Sequence, residues 1–202
     1  MRRLIIGLVT LAVTACSNDT GPNTPPPVPA SQLHFVIQDS VAAPPLYADT
    51  ASFWAKVGDG RELHLYYQDG SGSPGEEFLR FEVPGDGLLR KPDGTGFNAG
   101  DSILISVRVV DRKKFVFDFQ PTGLQFSPDH PARLKLGYDR SDHDYDGDGQ
   151  ITAADTAIQS RLDLWRNEPP DTLWFKLNAV NFESYEELDV NIYHFTVHAV
   201  AW

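Results

Sequence analysis

Most of this chain alternates apolar and polar positions with a period of two. Ile103, Ile105, Val107 and Val109 are interleaved with Leu104, Ser106, Arg108 and Val110, and Phe115, Phe117 and Phe119 with Val116 and Asp118. Ala132, Leu134, Leu136 and Tyr138 alternate with Arg133, Lys135 and Gly137. Leu79, Phe81 and Val83 do so with Arg80 and Glu82, and Leu63, Leu65 and Tyr67 with His64 and Tyr66. Each run predicts a half-buried strand. Towards the end, Leu173, Phe175 and Leu177, then Leu188, Val190 and Ile192, then Phe195, Val197, Ala199 and Ala201 predict that the chain finishes inside a sheet.

Turn chemistry separates these runs at Asp69-Gly70, Ser73-Pro74-Gly75, Pro84-Gly85-Asp86-Gly87, Pro92-Asp93-Gly94 and Pro121-Thr122-Gly123. Short strands with such punctuation predict an all-β fold, an antiparallel β-sandwich. One stretch breaks the pattern. Thr152 to about Ser160 is rich in alanine, lacks Gly and Pro, and predicts a short helix. Ile158, Leu162 and Trp165 are spaced to carry that helix on to Arg166. Leu162 and Leu164 instead alternate ahead of Pro169-Pro170, which favours a strand after the helix.

The two ends differ. Arg2 and Arg3, the apolar run Leu4 to Val13, and the small residues Thr14 and Ala15 have the layout of a secretory signal over residues 1–15. The run is about half of the ~20 residues that a membrane-crossing helix needs. Val13-Thr14-Ala15-Cys16 resembles the lipobox of bacterial lipoproteins, which implies that the thiol of Cys16, the single Cys of the chain, carries a lipid. Ser17 stands where an Asp would suggest inner-membrane retention, so the resemblance points to the cell envelope and, in a host with two membranes, to the outer one. Residues 16–30 contain five prolines and read as an extended spacer, leaving 31–202 as the folded domain. A lone Cys leaves no internal disulfide, so the core must hold the fold.

The chain has 17 basic and 28 acidic residues. Without Arg2 and Arg3 the balance is 15 against 28, about −13. Such a charge argues against nucleic acid and for cations or a basic partner.

Part of that charge is concentrated in Asp144-Tyr145-Asp146-Gly147-Asp148-Gly149-Gln150-Ile151-Thr152-Ala153-Ala154-Asp155, which fits the twelve-residue calcium loop of EF-hands. Asp144, Asp146 and Asp148 supply oxygens at positions 1, 3 and 5. Gly149 stands at position 6, where φ > 0 is needed. Gln150 offers its carbonyl at position 7, Ile151 at position 8 is expected to tuck into the core, and Thr152 reaches the ion directly or through water. Asp155 replaces the usual Glu at position 12, as in dockerin-type loops. The predicted cofactor is Ca²⁺, held by an insertion spanning residues 143–160. The stretch from Asp144 to Leu162 resembles one dockerin repeat; no second repeat follows, so cohesin binding does not carry over.

A second resemblance covers roughly residues 76–202. Phe117-Asp118-Phe119-Gln120-Pro121-Thr122-Gly123-Leu124-Gln125-Phe126-Ser127-Pro128 and Pro131-Ala132-Arg133-Leu134-Lys135-Leu136-Gly137-Tyr138 resemble a run in the sandwich domain of ankyrins, netrin receptors and zonula-occludens proteins. The closing Phe195-Thr196-Val197-His198-Ala199-Val200-Ala201-Trp202 is similar to the last strand of bacterial relatives. The resemblance implies scaffolding or protein contact rather than catalysis.

No zinc spacing, nucleophile elbow, phosphate loop or dinucleotide fingerprint is present, although the chain has six His. The reading is therefore a non-catalytic, lipid-anchored, calcium-binding envelope protein with a structural or protein-interaction role. Two alternatives stay open. Trp54, Tyr66, Tyr145 and Trp174, read as exposed aromatics, offer a glycan-binding face for an accessory of glycan binding or degradation. His194-Phe195-Thr196 resembles the site at which some related sandwich domains cut themselves, here between Phe195 and Thr196.

Overall fold

The computed structural model describes residues 25–168 and 172–202. The signal, Cys16 and the spacer up to residue 24 lie outside the described residues.

Among the described residues fourteen strands run in chain order: β1 (Val28–Pro29), β2 (Thr50–Lys56), β3 (Arg61–Gln68), β4 (Pro74–Val83), β5 (Leu88–Arg90), β6 (Ser102–Asp111), β7 (Val116–Gln120), β8 (Gln125–Phe126), β9 (Ala132–Gly137), β10 (Asp163–Asn167), β11 (Leu173–Lys176), β12 (Val180–Phe182), β13 (Glu187–Ile192) and β14 (Val197–Ala201). One helix, α1 (Ala153–Gln159), stands between β9 and β10. A seven-stranded sheet has the order β1-β11-β10-β14-β7-β6-β2, and a five-stranded sheet the order β12-β13-β9-β4-β3. β5 and β8 form a small third sheet. The pairings within these sheets are antiparallel.

The alternating side chains meet between the two large sheets. Phe81 of β4 packs edge-on to Phe119 of β7 at 5.4 Å and lies 5.4 Å from Phe195, which in turn lies 5.0 Å from Phe126. Ile105, Val107, Leu134, Leu136 and Leu188 are buried in the same core. The fold is an antiparallel sandwich, as the period-two runs predict.

Residues 31–75 join both layers: β2 lies at the edge of the seven-stranded sheet and β3 at the edge of the five-stranded one. The helix ends at Gln159 and β10 begins at Asp163, so the helix does not continue to Arg166. Val28 and Pro29, read from sequence as spacer, pair with Trp174 and Leu173 at a sheet edge, so the sandwich includes residues before 31. Leu33 then packs with Trp165, Trp174, Ala199 and Ala201 on the outer face of the seven-stranded sheet. That cover explains why β14 is buried on both faces: Val200 belongs to the main core, while Ala199 and Ala201 lie beneath the N-terminal segment. Among the described residues no helix is long and apolar enough to cross a membrane.

Candidate functional site

The acidic loop leaves the sandwich after β9 and ends in α1. Its shape comes from side chains that bind the loop's own backbone. Asp144 accepts from the Asp148 amide at 3.0 Å and from the Gly149 amide at 2.7 Å. Asp146 accepts from the Asp148 amide at 3.1 Å, and Asp148 from that of Gln150 at 2.8 Å. Gly147 and Gly149 adopt φ of +74° and +84°, a conformation that costs an L side chain about 1–2 kcal/mol. The chain thereby turns back on itself twice, and the three carboxylates face one another.

One oxygen from each of Asp144, Asp146 and Asp148 lies within 4.8 Å of the other two. Two oxygens that each lie 2.3–2.6 Å from one Ca²⁺ can be at most about 5 Å apart, so this spacing fits a shared ion. The donor set is hard oxygen, which also fits. Asp146 shows the electrostatic consequence. The Asp148 amide holds its carboxyl down, but desolvation and the charges of Asp148, Asp155 and Asp144 outweigh that bond and raise its pKa.

The structure brings three of the six expected ligands together. Asp155 lies outside that trio. It is buried at 2 % exposure and accepts from the Thr152 amide at 2.7 Å, the Thr152 hydroxyl at 3.2 Å and the Asp146 amide at 3.2 Å. The Thr152 amide bond, foremost, holds its pKa low. Thr152 and Asp155 form a reciprocal capping box on α1, with the Thr152 hydroxyl accepting from Ala154 at 3.1 Å. Gln150 is exposed.

Two expectations about the loop fail. Ile151 does not tuck into the core; it is 74 % exposed, because the loop leaves it on the solvent side. Tyr145 is the buried residue instead, with its hydroxyl 2.9 Å from the buried Ser141 hydroxyl and its ring 5.8 Å from Trp202. The sequence signal for it is an aromatic between two Asp, with a hydroxyl residue four positions earlier. Missed from sequence as well is the clamp on the far side. His143 bonds Glu186 at 2.8 Å, and Asn181 donates to the Gln159 carbonyl at 2.7 Å, tying the loop to the β12–β13 connection and the helix to β12.

The aromatics proposed for a glycan face do not converge. Trp54 is 58 % exposed on β2, while Tyr66 lies on β3 in the other sheet. Tyr145 and Trp174 are buried rather than exposed. At His194-Phe195-Thr196, Phe195 is core, its carbonyl accepts from the Gly123 amide at 3.1 Å, and the Thr196 hydroxyl donates to the Asn167 carbonyl. His194 is turned to Glu168 at 2.6 Å.

Comparison with known proteins finds no matching family model, no matching curated protein and no matching solved structure.

Proposed function

We propose that this chain is an envelope lipoprotein, anchored through Cys16, whose non-catalytic β-sandwich binds one Ca²⁺ in a structural or protein-interaction role. The observation that supports this reading is the convergence of Asp144, Asp146 and Asp148 oxygens within 4.8 Å, on a loop whose glycines carry positive φ. Three carboxylates held that close repel, and a divalent ion removes the repulsion. The Gln150 carbonyl and Thr152 complete the first coordination sphere with water, and Asp155 closes the loop from its helix side. Bound there, the ion ties the β9–α1 connection together and supplies no chemistry.

Calorimetric titration with CaCl₂ tests the reading, alongside thermal unfolding with calcium or with chelator. Extracellular calcium modules bind with Kd of about 10⁻⁴–10⁻³ M. At the tight end, calcium at about 100 times Kd adds about 2.7 kcal/mol, or about 5–10 °C in a domain of this size. Asp146→Ala removes one ligand and should abolish most of that gain. Absence of binding heat together with an unfolding midpoint indifferent to chelator refutes the reading.

A further inference from the structure

The acidic loop begins beside the segment His34–Asp39, which also meets the last residue, Trp202. The N-terminal segment His34–Asp39 runs along the end of β14 as a strap. Val36 donates to the Val200 carbonyl at 3.0 Å and is fully buried, while His34 and Trp202 exchange backbone bonds at 3.4 and 3.3 Å. The Trp202 ring stacks on His34 at 5.3 Å. The far end of the strap is fastened to the residues that lead into the loop. Asp39 donates to the Arg140 carbonyl at 2.9 Å, and Asp142 donates to the Ile37 carbonyl at 2.8 Å. Gln38 and Ser141 form a β-bridge.

The first two loop residues hold these contacts in place. The Asp144 amide donates to the carboxylate of Asp142 at 3.1 Å, the residue whose own amide makes the Ile37 bond. Tyr145 touches the seam twice, through its hydroxyl on Ser141 and its ring on Trp202. Two short contact routes therefore lead from the loop to the strap, one through Asp142 and one through Tyr145 and Trp202.

We propose that calcium in the acidic loop regulates the strap: the ion fixes Asp144 and Tyr145 and so suppresses local opening of His34–Asp39, a segment of the connection between β1 and β2. This coupling rests on the calcium reading above. It is a statement about local stability, which differs between segments of one fold. By linkage it is reciprocal, so a docked strap raises calcium affinity by the same factor.

Amide hydrogen exchange on the full chain, with calcium or with EGTA, tests the proposal, and calorimetry on the same samples reports calcium uptake. The amides of His34, Val36, Gln38 and Asp39 should exchange about tenfold more slowly with calcium. In Trp202→Ala that slowing should shrink to less than about threefold while one ion is still taken up, with affinity lowered by the matching factor. Tyr145→Phe, which deletes only the Ser141 bond, should give an intermediate effect and serves if Trp202→Ala does not fold. Calcium uptake with unchanged strap exchange overturns the coupling and leaves the calcium reading standing. Undiminished slowing in both variants overturns the route through Tyr145 and Trp202. No calcium uptake overturns both readings.

Discussion

His198 should make the fold sensitive to acid, and the size of the effect follows from its surroundings. The residue lies in β14, fully buried, with its ring edge-on to Phe119 at 4.9 Å. Nδ1 bonds the Thr196 carbonyl at 3.1 Å, and Nε2 has no hydrogen-bond partner among the described residues. Burial is the main cause that pushes its pKa from 6.5 down to about 3; the Thr196 bond opposes, and the charges of His194 and Arg166 add to the fall. The folded state thus refuses a proton that the unfolded chain accepts below pH 6.5. Stability is complete above 6.5 and falls as the pH drops from there towards 3. At 1.36 kcal/mol per unit, pH 5 costs about 2 kcal/mol. Other groups titrate in the same range, so the clean measurement is a difference. Urea unfolding followed by tryptophan fluorescence, on the parent and on His198→Gln at pH 7.5 and 5.0, isolates this residue. The variant's stability relative to the parent should rise by about 2 kcal/mol between the two pH values. A difference that stays constant across that range refutes the reasoning.

Asp163 carries the opposite sign: burial, opposed by the Ala179 amide and Lys176, raises its pKa from 3.8 to about 6, so its ionised form costs stability above pH 6 and the cost is relieved between 6 and 3.8. Asp163→Asn keeps an acceptor for the Ala179 amide at 2.8 Å and should raise the urea midpoint at pH 7.5 by about 1–3 kcal/mol in stability, an advantage that disappears by pH 4; a loss at pH 7.5 counts against a buried charge. Phe81→Ala, with no exposed surface and three aromatic neighbours, among them Phe119 in the facing sheet, should cost about 3–5 kcal/mol in the same assay, and a loss below about 1 kcal/mol means that the two sheets do not meet there.

What the sequence disclosed depended on how many faces of a strand are covered. β6 and β9 each bury one face, and Ile105, Val107, Leu134 and Leu136 stand inward as their alternation predicts. β14 buries both, so alternation there carries no information about which face looks into the sandwich. Inspection favours Ala199 and Ala201, whereas the polar-looking position, His198, packs on Phe119. Trp174 is buried for the same reason. Its strand looks amphipathic, yet Phe35 of the N-terminal segment covers the ring at 5.4 Å. Such cover comes from chain more than a hundred residues away, and no local pattern records it. In the acidic loop the three clustered Asp were legible because their spacing is itself the geometry. Ile151 and Tyr145 were not, because which of them is buried depends on Ser141 and Trp202 rather than on the loop.

The proposed calcium loop takes its rigidity from its host, and the distribution of contacts here shows where that rigidity ends. At the exit, α1 has seven residues, too few to persist by propensity alone. It is held by its capping box, by burial of Ile158 and by the Asn181 bond to its last carbonyl. At the entrance, Ser141 and Tyr145 are buried and His143 is paired with Glu186. Between these ends, Asp146 to Thr152 are exposed and are shaped mainly by carboxylate–amide bonds within the loop. An ion entering this loop therefore meets fixed ends and a compliant middle, so its binding energy is spent on ordering about seven residues rather than on folding the domain. Affinity should accordingly respond to changes in the loop's middle, and the reach of calcium into the fold should be set by the two residues, Asp144 and Tyr145, at which the compliant part joins the rigid one.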